Sequence, residues 1–105
     1  VISNRSKIEF EVAELLMDIM DSTGETSASF VVNDIATLLT YRNVRADTSE
    51  IRRLLQIYWH LKPVSNSLTY RAYAVGMSPA KYTAKTAVGR YYTVTKDFIL
   101  NLSLF

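Results

Sequence analysis

There is no cysteine in the chain, which removes disulfides and thiolate metal sites and suits a reducing cytoplasm or a hot-living host. Histidine occurs once, at His60, so neither a histidine metal site nor a Ser-His-Asp arrangement with redundancy has the material it needs. Glycine is confined to Gly24, Gly76 and Gly89, too sparse for a glycine-rich phosphate loop or a Gly/Ser linker. No H-E-x-x-H or G-x-S-x-G signature is present. There is also no apolar run of about 18 residues, and no basic stretch followed by an apolar core at the N-terminus. These absences argue against an enzyme, a cofactor, a small-molecule ligand, a membrane span and a secretion signal. The expectation is a cytoplasmic, soluble protein; Val1 in place of a methionine reads as a processed or excised domain.

What is present suffices for one core. The chain has 105 residues, 49% of them hydrophobic and 21% charged, the size and composition of a single domain spanning 1–105. The formal net charge of +2 conceals a division. Residues 1–50 carry four basic and nine acidic side chains, and residues 51–105 carry eight basic and one acidic. Such segregation fits either a positive footprint for a polyanion or an internal network of ion pairs. Placement has to separate the two.

Ser6 and Glu9 have the spacing of a capping box, and Ile8, Val12, Leu15, Leu16, Ile19 and Met20 then recur at helical intervals until Gly24 stops the helix. Glu11, Glu14, Asp18 and Asp21 fall on the other side, as a solvated face. Ser29 to Val32 reads as a brief strand. Asn33 is expected to cap a second helix with Ile35, Ala36, Leu38 and Leu39 inward, ending near a left-handed Asn43. After a turn to Ala46, Asp47 and Glu50 open a third helix that runs to about Leu61, closed by Pro63. At 100° per residue, Ile51, Leu54, Leu55, Tyr58 and Leu61 gather inward, while Ser49, Arg52, Arg53, Gln56 and His60 gather outward with no acid among them. Arginine and glutamine present the paired donors, or donor and acceptor, that match guanine and adenine edges in a major groove.

Alternation from Ser67 to Val75, and Tyr91 to Val94 within 90–95, predict two strands paired as an antiparallel ribbon. Between them, Gly76 to Gly89 holds Lys81, Tyr82 and Lys85 and reads as a flexible or partly helical wing, since Ser78–Pro79 is a helix-start signal. Phe98, Ile99, Leu102, Leu104 and Phe105 predict a closing apolar helix over 97–105. Tyr70, Tyr73, Tyr91 and Tyr92 fit cross-strand pairs or a stacking platform. Trp59 fits a packed position under the wing or a stacking contact.

In this order, "NDIATLL" resembles the second helix, and "DTSEIRRLLQIYWHLKPV" the recognition helix, of the winged helix-turn-helix superfamily. The likeness covers almost the whole chain. It departs in "TYRNVRADT", which lacks the usual glycine, and in a wing of about 14 residues, longer than a tight hairpin. The resemblance implies a mainly α fold with a small antiparallel β-ribbon: a three-helix core, a wing and a C-terminal helix. It also implies sequence-specific binding of double-stranded DNA by a transcriptional regulator, with the third helix in the major groove and the wing on the backbone or minor groove. On that basis Ser49, Arg52, Arg53 and Gln56 would read bases, and Arg42, Arg45, His60, Arg71, Lys81, Tyr82, Lys85 and Arg90 would meet the backbone. A homodimer through the first and C-terminal helices is expected. The other open reading is an interaction module that meets protein partners in a replication, transcription or membrane-remodelling assembly.

Overall fold

A computed structural model describes the backbone of residues 4–65, 68–73, 82–87 and 90–105, and the side chains of residues 7–64 and 91–105. The chain is mainly helical with small antiparallel sheets, an α+β arrangement. Helix α1 (Asn4–Thr23) leads to strand β1 (Ser27–Phe30), α2 (Val32–Tyr41) and α3 (Thr48–Arg53). The last continues as a single π turn, Leu54–Tyr58. Strands β2 (Val64–Ser65), β3 (Leu68–Tyr73), β4 (Tyr82–Ala87) and β5 (Arg90–Thr95) follow, then α4 (Lys96–Asn101).

The expected apolar stripe of α1, from Ile8 to Met20, is buried, as a helix with one core-facing side requires. Gly24 ends it with φ 72°, a conformation that a side chain would disfavour. The Thr23 hydroxyl helps by donating to the carbonyl of Ile19 at 3.0 Å. The Ser6–Glu9 spacing does not mark the start, because α1 already begins at Asn4. Glu9 has another partner: its carboxylate accepts from the Trp59 indole nitrogen at 2.7 Å.

Helix α2 is capped at Val31, not Asn33: Val31 is extended, and its carbonyl accepts from Asp34 and Ile35. The predicted strand is correspondingly cut back to Phe30. Asn43, at φ 61°, takes the left-handed position expected of it, and Val44 N–H returns to the Leu39 carbonyl at 2.9 Å.

The third helix departs most from a regular pattern. Asp47 occupies the cap position without a side-chain hydrogen bond. Beyond Arg53 the winding widens, and Trp59 N–H bonds to the Leu54 carbonyl, five residues back, at 2.9 Å. One extra residue in a turn rotates everything after it relative to a 3.6-residue repeat. The core positions are therefore Ile51, Leu54, Leu55 and then Trp59, 3% exposed, while Tyr58, expected inward, is 41% exposed. The helix ends before Leu61, with His60 at φ 56°.

The strands also correct the expectation. Segment 67–75 does not pair with 90–95; β5 lies between β1 and β2, and β3 pairs with β4, all antiparallel. Val64 faces Tyr91 and Ser65 faces Arg90; farther out, Leu68 faces Ala87 and Tyr73 faces Tyr82. Each step along one strand is matched on the other, so both ladders share one register. Much of the expected wing, 82–87, is thus strand, while Ser78 and Pro79 lie outside the described residues. A bond of 2.8 Å between the hydroxyls of Ser29 and Thr93 ties β1 to β5.

Thr95 caps α4 by accepting from Phe98 N–H at 3.1 Å. This helix stops at Asn101 instead of reaching Phe105. Its apolar residues cover the chain's own core: Ile99 is buried and Phe98 meets Trp59 edge-on, with centroids 5.7 Å apart. The tail returns to α1, with Phe105 5.6 Å from Phe10.

Candidate nucleic-acid interface

Among the described residues no polar or charged residue is fully buried, and the charged side chains lie at the surface. The outward side of α3 supplies a candidate recognition surface. Ser49, Arg52 and Arg53 are exposed there, as is Arg45 in the connection before the helix. Among the described residues these three arginines enter no ion pair. Guanidinium groups held this way offer several N–H donors each, with no acceptor, and favour phosphates and guanine edges.

Arg42 differs. Its guanidinium reaches Asp18 at 2.9 Å and Glu14 at 4.0 Å on α1. Lys96 likewise meets Asp21 at 2.6 Å. The acidic face of α1 is therefore partly an ion-pair network, and it claims the cations beside it. Two readings of the divided charge, a network and a free basic face, apply to different parts of the molecule.

The π turn divides the remaining candidates. Gln56 is half-buried and its amide donates to the Tyr92 hydroxyl on β5. Its place on the outward line, one turn past Arg53, goes to Ile57, which is 58% exposed. Sequence periodicity missed Ile57 because it assumed regular α winding. The signal was Trp59: the large ring stands one position past the regular inward line, and the wider turn brings it to the core. His60 is exposed beyond the end of the helix, at φ 56°.

Beside this line a cleft of about 330 Å³ is bordered by Ile8, Ser49, Glu50, Arg53, Leu54 and Tyr58. It brings the Glu50 carboxylate to one edge of the basic face, an acid that the outward residues alone did not show. On the hairpin, Arg71 pairs with Ala84, Lys85 with Tyr70, Tyr82 with Tyr73 and Arg90 with Ser65. Lys81 lies outside the described residues. No cluster of three or more His, Cys, Asp or Glu suited to a metal occurs among the described residues.

Compared with protein-family models, curated proteins and solved structures, the chain matches none. Tyr91 and Tyr92 are buried, and Tyr92 stacks on Phe30 with centroids 6.1 Å apart. Trp59 is packed against α4 and α1, which leaves no face open to a base. Of the aromatic residues considered as stacking platforms, Trp59 and Tyr92 belong to the core cluster. No helix among the described residues is long and apolar enough to cross a membrane.

Proposed function

We propose that the chain is a winged helix-turn-helix domain that binds double-stranded DNA with sequence preference, as a transcriptional regulator. In this reading α3 lies in the major groove and the hairpin of β2 to β5 follows the backbone or minor groove. The observation that carries it is the contrast in arginine environments. Arg42 is neutralised by α1 carboxylates, whereas Arg45, Arg52 and Arg53 stand exposed and, among the described residues, unpaired. Supporting it, the third helix is followed along the chain by β2, which pairs with β5, the middle strand of a three-stranded sheet. Ser49, Arg52 and Arg53 contact base edges, Arg45 contacts phosphate, and Gln56 positions α3 against β5 through Tyr92 instead of reading a base.

Fluorescence anisotropy with labelled duplexes tests this. Arg53→Ala is expected to weaken the preferred duplex by about 1–3 kcal/mol and to relax preference at one position. Arg42→Ala, which removes the same charge from a paired site, is expected to leave affinity nearly unchanged. Equal effects of the two substitutions, or no duplex binding at low salt, would overturn the reading.

A second reading rests on an apolar patch. Phe10, Leu100 and Phe105 are 37%, 51% and 62% exposed, and the two phenylalanine rings adjoin. Phe98 and Ile99 already cover the chain's own core; among the described residues, Phe10, Leu100 and Phe105 are the large apolar side chains left exposed on the first helix, the last helix and the tail. We place a second copy of the chain there, so that two α3 helices address two half-sites. Sedimentation equilibrium should show a dimer that Phe105→Ser dissociates. A monomer at all concentrations, together with no duplex binding, would favour a protein-interaction module.

A further inference from the structure

The π turn decides which side chain stands one turn beyond Arg53. In a regular helix, positions 56 and 57 would straddle the outward line. Here Gln56 donates to Tyr92 on β5, and Ile57, as many positions past Arg53 as Arg53 is past Ser49, is 58% exposed. An aliphatic side chain there makes no hydrogen bond to a phosphate and, so exposed, adds little to the core. Of the base-edge groups displayed in a major groove, one is apolar: the C5-methyl of thymine. We propose, on the reading that α3 enters the groove, that Ile57 is a specificity-determining residue that selects thymine through its methyl group. Arg53, four residues earlier, is about 6 Å away along the axis at most. Base pairs are about 3.4 Å apart, so the thymine falls within two base pairs of the guanine that Arg53 contacts.

The test starts by enriching tight binders from a random-sequence duplex pool, then replaces each thymine of the selected duplex in turn by uracil, which deletes only the methyl. One replacement near the guanine is expected to weaken binding about fourfold, the effect of one lost apolar carbon contact. Ile57→Ala should weaken the thymine duplex by a similar factor and abolish the difference between thymine and uracil. Because Ile57 is exposed, this variant should keep its fold, checked by the melting temperature. Ile57→Gln should shift preference at that base pair toward adenine. If no uracil replacement matters, if Ile57→Ala retains the thymine–uracil difference, or if duplexes bind without any enrichment, the inference fails while DNA binding stands. Absence of duplex binding at low salt rejects the DNA reading itself, and the inference with it.

Discussion

Trp59 joins three helical elements through one side chain. Its indole N–H donates to Glu9 on α1 and its ring meets Phe98 of α4, while its own position ends the π turn. Replacing Glu9 by alanine leaves a buried indole donor without its charged acceptor, at an expected cost of about 1–3 kcal/mol. Glu9→Gln, whose amide oxygen still accepts, should cost less. Urea unfolding followed by fluorescence measures both, since Trp59 is the only tryptophan; equal losses would mean that the charge matters more than the hydrogen bond. At this scale the sequence was partly legible. Gly24 and Asn43, whose roles depend on local backbone conformation, took their expected places. Residues whose role depends on a distant partner did not. Glu9 looked like a cap until Trp59 claimed it, and Gln56 looked like a base reader until Tyr92, 36 positions away, accepted its amide.

Among the elements, the third helix shows most clearly where a periodic reading fails. Apolar residues repeat in α1 without interruption, so its buried side was legible throughout. In α3 the repeat is broken by one residue, and a template of fixed 3.6-residue period assigns Tyr58 to the core in place of Trp59. Deleting Ile57 would remove that extra residue, letting the tryptophan follow Leu54 and Leu55 at regular helical spacing. The expected outcome is a folded protein within about 1 kcal/mol of the parent, with a buried tryptophan by emission wavelength and no thymine preference. A red-shifted emission would show instead that the π turn is required to seat the ring. The hairpin was illegible for a different reason. Alternation identifies a strand but not its partner, so 68–73 and 90–95 were both recognisable while their pairing, each with another segment, was not.

Across the whole molecule, the divided charge predicts two salt responses that should diverge. The pairs on α1, Arg42 with Asp18 and Lys96 with Asp21, involve carboxylates about half exposed. Such pairs contribute about 0–1 kcal/mol each, so raising the salt should hardly move the melting temperature. Binding to a polyanion responds differently, because each phosphate contact releases a condensed counterion. With about six contacts per subunit from α3, its preceding connection and the hairpin, log affinity should fall against log salt with a slope near −5, about a thousandfold between roughly 50 and 200 mM. Substituting Arg45 by alanine should flatten that slope by about one unit. Arg42→Ala should leave it unchanged, since that cation already has its counterions in Asp18 and Glu14. Thermal melts and duplex titrations over the same salt series check this directly. If both responses are weak, the basic half does not face a polyanion. If both are steep, the α1 pairs carry more of the fold than their exposure implies, and the cations they hold are not the separate population on which the interface depends.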